Sequence, residues 1–142
     1  MSKTFHELCD ELKKNVKTCS VSDVKKMKES KEDFLLVDIR EDNEFNAGSI
    51  KGSVHIGKGI IERDIHLFVN DHGKKIVLYC GGGYRTVIAA HSLQNMGYTN
   101  VISMDGGWKG WNEERIFDFR FLIFDFRLII IGIDLEFRIW NS

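Results

Sequence analysis

Short apolar runs alternate with helix-like stretches along most of the chain. Three of these runs have the character of strands that are covered on both faces. They are Phe34–Val37, Lys75–Tyr79 and Asn100–Met104. A helix-like stretch, Arg85–Gly97, lies between the second and third runs and stops at glycine. Because strand, helix and strand follow one another with short connections, the pattern predicts right-handed crossovers and a mainly parallel sheet in an α/β domain.

Two further helices are predicted near the N-terminus. Thr4 to Glu7 has the form of a capping box, and the apolar residues that follow share one helical face. These residues are Phe5, Leu8, Cys9, Leu12 and Val16. Cys9 is therefore assigned to core packing. Ser20 to Asp23 repeats the start signal and begins a second helix with a narrow apolar stripe.

Composition limits the class of protein. The 142 residues carry 20 basic and 21 acidic side chains, so one domain with a real core is expected, and nucleic acid is not an expected partner. The polar N-terminus, residues 1–7, lacks the apolar run of a secretory signal, which predicts a cytoplasmic protein. The three cysteines have no metal-ligand spacing, so we expect reduced thiols and neither a metal nor a cofactor.

The composition changes abruptly near Arg115. Residues 116–120 recur seven positions later, and aromatic and isoleucine residues dominate the extension 115–142. Strand alternation and heptad spacing both fit it, and the β-branched content favours strand. Charges interrupt every apolar run before the roughly 18 residues of a membrane span, so no spanning helix is predicted. The extension is interpreted as an edge or homo-oligomer element, a membrane-surface contact, or a tail foreign to the domain.

A cysteine stands at the start of a glycine-rich loop, directly after the apolar run that ends at Tyr79. Gly81, Gly82 and Gly83 follow Cys80, and glycine adopts positive φ at little cost. Successive peptide N–H groups can therefore converge on one point and bind an anion. The N-terminal dipole of the predicted helix points to the same place, so both effects favour a thiolate. The alternative is a buried, inert cysteine at a strand end.

Four motifs in the chain resemble the rhodanese family of sulfurtransferases over roughly residues 18–114. They are Leu36–Glu41 followed by Glu44-Phe45, then Ala47–Ser53, Tyr79–Thr86, and Asp105–Trp108 with Trp111. The resemblance implies a small doubly wound, three-layer domain with a mainly parallel central sheet. Residues 1–17 would then form an N-terminal helix before that domain, and residues 115–142 an atypical apolar extension after it. By the same resemblance, Cys80 takes a sulfane sulfur from a donor as a persulfide and passes it to cyanide or a thiol.

The resemblance also supplies candidate roles around the nucleophile. Gly81, Gly82, Gly83, Tyr84 and Arg85 are the expected substrate-binding residues. The Arg85 fork could neutralise an anionic donor or pin the loop from outside, and Tyr84 lines the mouth or packs against it. Lys58 and Glu62 fall where the family's chain passes near the active site. Asp38 and Arg40 are assigned a structural role, with Arg40 paired to Glu41 or Glu44.

Two other function classes remain open. Related phosphatases and arsenate reductases place five residues between cysteine and arginine, whereas four residues separate Cys80 from Arg85. The shorter loop fits a single sulfur atom better than a tetrahedral oxyanion. A noncatalytic interaction module is the third interpretation, although such a module needs no thiolate. Family members that favour thiosulfate often carry basic residues directly after the cysteine, and Gly81 and Gly82 supply none, so the physiological donor stays open.

Overall fold

A computed structural model of the protein describes residues 2–115 and Ile123. The chain up to Trp111 forms one compact unit, and residues 112–142 belong to a second. The interpretations of the extension as strand, helix or association surface therefore concern residues that lie, but for Arg115 and Ile123, outside the described part. No helix among the described residues is long and apolar enough to cross a membrane.

Helices and strands alternate through the described part of the chain. The helices are α1 (Phe5–Lys13), α2 (Val21–Glu29), α3 (Asp42–Ala47), α4 (Ile61–Asp64) and α5 (Arg85–Asn95), with a 3-10 turn at Ile65–Leu67. A last helix begins at residue 107 and continues to residue 115. The strands are β1 (Lys17–Cys19), β2 (Leu35–Asp38), β3 (Val54–His55), β4 (Ile76–Tyr79) and β5 (Val101–Met104).

The strands form a single five-stranded sheet in the order β1-β5-β4-β2-β3, and every neighbouring pair is parallel. The predicted α/β class with a mainly parallel sheet is confirmed. β1 and β3, the two edge strands, are absent from the pattern of apolar runs because they are only three and two residues long. β4 lies at the centre of the sheet, so the loop that follows it opens at the middle of the carboxyl edge.

The core lies on both faces of the sheet, as alternation along β4 requires. Ile76 and Leu78 join the cluster that includes residues of α4 and α5, whereas Val77 and Tyr79 join the cluster that includes residues of α2. All four residues of β4 are fully buried. Successive side chains of a strand point to opposite faces, so a strand covered by helices on both sides must be apolar throughout. The sheet is therefore the middle of three layers, with helices on each of its two faces.

Helix α1 begins at the predicted cap, where the Thr4 hydroxyl oxygen accepts the backbone N–H of Glu7 at 3.2 Å. The helix packs against α5 and buries Cys9, as expected for core packing. Phe5 and Leu8 share the apolar face of α1 but are exposed. The first turn of α1 thus presents apolar side chains outside the core, and the Phe5 ring lies 6.4 Å from the Tyr84 ring.

A buried ion pair closes the carboxyl end of β2. The Arg40 guanidinium donates to both carboxylate oxygens of Asp38, at 2.7–3.1 Å, and to the carbonyl oxygen of Gly48 at 2.6 Å. The prediction that Arg40 pairs with Glu41 or Glu44 is wrong. Asp38 lies two residues from Arg40 and is fully buried, so its carboxylate needs a partner inside the protein, whereas Glu44 pairs with another arginine.

Replacing Arg40 with methionine is expected to lower the free energy of unfolding by about 3–5 kcal/mol, because it leaves the buried Asp38 carboxylate without its charged partner. Urea unfolding followed by circular dichroism measures the change. The matched control is Arg63→Met, which breaks the exposed pair with Asp64. The control is expected to unfold at the wild-type urea concentration, and an equal loss in both variants would contradict a structural role for the buried pair.

Candidate active site

Cys80 follows the last residue of β4, and α5 begins at Arg85, so the glycine loop spans the gap between the central strand and a helix N-terminus. The cysteine is 1% exposed. Its sulfur accepts the backbone N–H of Gly83 at 3.2 Å. The prediction that all three glycine N–H groups converge on the thiol is wrong, because within the described chain this is the one backbone N–H that bonds the sulfur.

The two preceding carbonyl groups explain the difference. The backbone N–H groups of Trp108 and Lys109, in the first turn of the last helix, donate to the carbonyl oxygens of Cys80 and Gly81 at 2.7 and 3.1 Å. In a trans peptide the N–H points opposite to the C=O of the same plane. The N–H groups of Gly81 and Gly82 therefore face away from the last helix.

Gly107 allows the last helix to approach the loop. A Cβ atom at this position would lie 2.4 Å from the carbonyl oxygen of Cys80, and the residue has φ +55°. Gly83 has φ +98°, and a Cβ there would lie 3.2 Å from the backbone nitrogen of Gly106. Side chains other than hydrogen are excluded at Gly107 by contact and disfavoured at both positions by conformation.

Two buried hydroxyl groups lie beside the thiol. The oxygen atoms of Thr86 and Ser103 are 2.7 Å apart, and Thr86 also donates to the carbonyl oxygen of Gly83 at 3.2 Å. The sulfur of Cys80 is 3.9 Å from the Thr86 oxygen. Sequence reasoning assigned no role to either residue. Thr86 is the second residue of α5 and closes the motif Tyr79–Thr86, which was a signal in the sequence, whereas Ser103 is brought here only by the pairing of β5 with β4.

Arg85 is tied to a carboxylate on α3. Its two terminal nitrogen atoms donate to the two carboxylate oxygens of Glu44 at 2.9 and 3.2 Å. The hydrogen bonds from Arg85 hold the pKa of Glu44 below its usual range and raise the pKa of Arg85. These bonds join the guanidinium to α3, and the nearby Cys80 also contributes to the raised pKa of Arg85, so donor neutralisation and pinning of the loop both stay predictions. Sequence reasoning named Glu44 only as a partner for Arg40, because residue spacing does not tell which arginine a carboxylate chooses.

Tyr84 closes the other side of the loop and is 46% exposed. The Tyr84 and His6 rings form a T-shaped contact, with their centroids 4.6 Å apart. A cleft of about 290 Å3 lies between α1 and the loop and is lined by Cys9 and Tyr84 among others. An ion pair between Lys13 and Asp105, at 3.1 Å, also lines this cleft. Tyr84 therefore separates a polar cleft from the exposed aromatic face of α1.

The remaining cysteines are poor nucleophiles. Burial raises the pKa of the Cys9 thiol, and burial raises the pKa of Cys19 to about 11. All three cysteines are free. Both of these thiols therefore stay protonated near neutral pH.

The other predicted side chains take peripheral places. Lys58 and Glu62 are half-buried, and neither forms an ion pair with any of the residues the structure describes.

The Arg40 guanidinium lies 5.0 Å from the centre of the Trp108 ring, so the buried Asp38–Arg40 pair contacts the helix whose N–H groups bind the loop carbonyls. No group of three His, Cys, Asp or Glu side chains within the described ranges could hold a metal ion.

Comparison with known families decides the relationship. The Rhodanese-like domain model matches residues 20–114, which is more than half of the chain. The chain belongs to the rhodanese family. Thiosulfate sulfurtransferase GlpE of Shewanella oneidensis is 34% identical over 98 residues, covering 68% of this chain and 93% of that protein.

Solved rhodanese-related structures share the fold. A Rhodopseudomonas palustris protein of unknown function, described as a possible tyrosine phosphatase, is 30% identical with a TM-score of 0.73, over 80% of this chain and 92% of that one. The human single-domain sulfurtransferase TSTD1 has a TM-score of 0.60 over 68% and 95% of the two chains, at 22% identity. The likeness to the human protein concerns the fold alone.

Several rhodanese relatives are longer than the shared segment. A mitochondrial relative in Schizosaccharomyces pombe is 30% identical over 91 residues, and the match covers 64% of its length. The tRNA uridine(34) hydroxylase of Bacillus pumilus is 30% identical over 110 residues, covering 69% of this chain but 33% of the hydroxylase. The rhodanese domain therefore occurs in proteins of different size and differently named activity.

Gly107→Ala is expected to lower the free energy of unfolding by about 3 kcal/mol, because the new methyl group meets the Cys80 carbonyl and the backbone has positive φ. Urea unfolding measures the loss. The hydrogen bond from Gly83 to the thiol weakens with the displaced loop, so amide exchange at Gly83 is expected to accelerate. Gly59→Ala is the control, since a Cβ there meets nothing within 4 Å. Equal stability of the two variants would rule out the close contact.

Proposed function

We propose that this protein is a sulfurtransferase that carries a sulfane sulfur on Cys80 from a donor to cyanide or a thiol acceptor. Its membership in the rhodanese family supports sulfurtransferase activity in general. The observation that carries the specific proposal is the loop geometry. The Cys80 sulfur accepts the Gly83 N–H at the N-terminus of α5, and the N–H groups of Gly81 and Gly82 face away from the last helix.

The proposed reaction has two steps, uptake of the sulfur by Cys80 and its release to the acceptor. In the first, the Cys80 thiolate attacks the sulfane sulfur of the donor, forming an S–S bond while the donor's own bond to that sulfur breaks. With thiosulfate the leaving group is sulfite, and with a persulfide it is the parent thiolate. In the second, cyanide or a thiolate attacks the outer sulfur, and the Cys80 thiolate is released with thiocyanate or a new persulfide as the product.

The loop stabilises the intermediate by hydrogen bonding. A persulfide is an anion whose charge lies mainly on the outer sulfur, one bond beyond the cysteine sulfur. The N–H groups of Gly81 and Gly82, which do not bond the resting thiol, are the donors available to that outer atom. The dipole of α5 acts in the same direction. Preorganised backbone donors thus replace an external base at this site.

A Cys-dependent phosphatase is the second candidate, because the 30% identical Rhodopseudomonas protein is described as a possible tyrosine phosphatase. Two features favour sulfur transfer over it. Four residues rather than five separate Cys80 from Arg85. In addition, both terminal nitrogen atoms of Arg85 already bind Glu44, so its fork is engaged rather than presented to a phosphate.

The proposal extends to the surroundings of the enzyme. Free cysteines are typical of a reducing compartment, which supports the cytoplasm as the location. A small sulfur donor and a small thiol or cyanide acceptor are the proposed partners, and the buried position of Cys80 favours transfer of a single sulfur atom.

Treatment with thiosulfate or glutathione persulfide is expected to add one sulfur atom to the peptide that contains Cys80, detected by intact and peptide mass spectrometry. Thiocyanate formation from thiosulfate and cyanide is expected in the same preparation. Cys80→Ser abolishes both signals. Cys9→Ser and Cys19→Ser are the matched controls and are expected to retain the Cys80 persulfide, because burial raises the pKa of both replaced thiols.

The absence of a persulfide with every sulfane donor would overturn the proposal and leave the noncatalytic module. Hydrolysis of para-nitrophenyl phosphate that is lost in Cys80→Ser would support the phosphatase instead. Persulfide formation without phosphate release supports the sulfurtransferase.

A further inference from the structure

Charge at the mouth of the loop is almost fully compensated. The loop residues between Cys80 and Arg85 are three glycines and a tyrosine, so Arg85 carries the loop's one cationic side chain. Its guanidinium is held by Glu44 in a bidentate pair, with about a third of each side chain exposed. Lys13, on the cleft side of the loop, is likewise paired with Asp105 at 3.1 Å.

Arg85 lies close enough to the nucleophile to influence a donor. A Cβ atom built on Gly81, the residue after Cys80, would come within 2.9 Å of a terminal nitrogen of Arg85. The guanidinium therefore lies directly over the first peptide of the loop. A charge at this range attracts an anion, and an adjacent carboxylate offsets most of that attraction.

Glu44 is itself fixed in place by its position on α3. It lies in the first turn of that helix, where one carboxylate oxygen also accepts the backbone N–H of Glu41 at 3.2 Å. The carboxylate is therefore oriented by the helix N-terminus before it meets Arg85. Glu44 consequently accompanies Arg85 as a fixed counter-charge.

We infer that Glu44 is a positioning residue that sets donor selectivity: by neutralising Arg85 it makes the site favour monoanionic persulfide donors over the dianion thiosulfate. The inference rests on the proposed function and names its donor class. A dianion gains little from a guanidinium already paired with a carboxylate, because that carboxylate repels it. A persulfide of a thiol brings one negative charge and needs only the backbone N–H groups of the loop. Lys58 has no partner among the described residues, and its charge reaches Cys9, so its contribution must be separated by experiment.

The test removes the negative charge and keeps the shape. Glu44→Gln retains one side-chain oxygen that can accept from Arg85. It is expected to lower the KM for the dianion thiosulfate about tenfold and the KM for a monoanionic persulfide, that of 2-mercaptoethanol, only about threefold, because a monoanion gains half the interaction energy. The gain for thiosulfate is expected to shrink as salt increases. Asp42→Asn is the matched control on the same helix, because the Asp42 side chain is 92% exposed, and it is expected to leave both KM values unchanged.

A second test measures the charge around Cys80 by alkylation and does not require sulfur transfer. Iodoacetate and iodoacetamide react with the same thiol but differ in charge, so the ratio of their alkylation rates at the Cys80 peptide measures the local potential. The ratio is expected to rise about threefold in Glu44→Gln, since iodoacetate carries one charge, and to return toward the wild-type value in the double variant Glu44→Gln/Arg85→Gln. Arg85→Gln alone leaves Glu44 unpaired and is expected to lower the ratio, which provides a test if Glu44→Gln does not fold.

An unchanged or lower ratio in Glu44→Gln, or a gain that survives in the double variant, would overturn the inference and point to Lys58 as the relevant charge. A wild-type protein that forms no persulfide with any donor would instead overturn the proposed function, and the alkylation ratio would still report whether Glu44 neutralises Arg85. The two failures are therefore distinguishable.

Discussion

Two hydrogen bonds from the start of the last helix to the carbonyl oxygens of Cys80 and Gly81 determine the shape of the whole site. They fix two successive peptide planes, and each fixed carbonyl directs an N–H to the opposite side of the loop. The contact depends on Gly107, since any larger residue would meet the Cys80 carbonyl. The orientation of the loop's N–H groups therefore comes from a segment that lies after the loop in the chain, and the loop glycines adopt the backbone conformation that this contact requires.

Two ion pairs near the loop differ in how deeply they are buried. The Asp38–Arg40 pair is buried, reaches the carbonyl of Gly48, and lies 5.0 Å from the Trp108 ring at the start of the last helix. This pair stabilises the fold only while both members are present, because removal of one leaves the other buried without a charged partner. The Arg85–Glu44 pair is partly exposed and touches the loop itself, so it can alter the potential felt by a donor without holding the fold. Arg40 and Arg85 each pair with a carboxylate, but Arg40 is buried and Arg85 is partly exposed.

Sequence alone predicted the parallel α/β domain and placed Cys80 at the carboxyl end of one of its strands, because apolar runs such as those ending at Val37 and Tyr79 and the glycines after Cys80 are local signals. It missed β1 and β3, which are too short to leave a pattern. It also assigned the wrong partner to Arg40 and expected every loop N–H at the thiol. Each of these depends on which groups meet across the sheet edge, and residue spacing along one chain does not specify such contacts.

The loop is braced by parts of the chain that are far apart in sequence. The Cys9 thiol donates to the carbonyl oxygen of Tyr84 at 3.5 Å, across 75 positions, while the last helix begins at residue 107. Contacts of this kind form late because a long segment must be ordered first. During synthesis, a chain that has emerged only as far as Met104 holds Cys80 in a loop whose carbonyl partners do not yet exist. Translation order thus delays the final shape of the Cys80 loop until the domain is nearly complete.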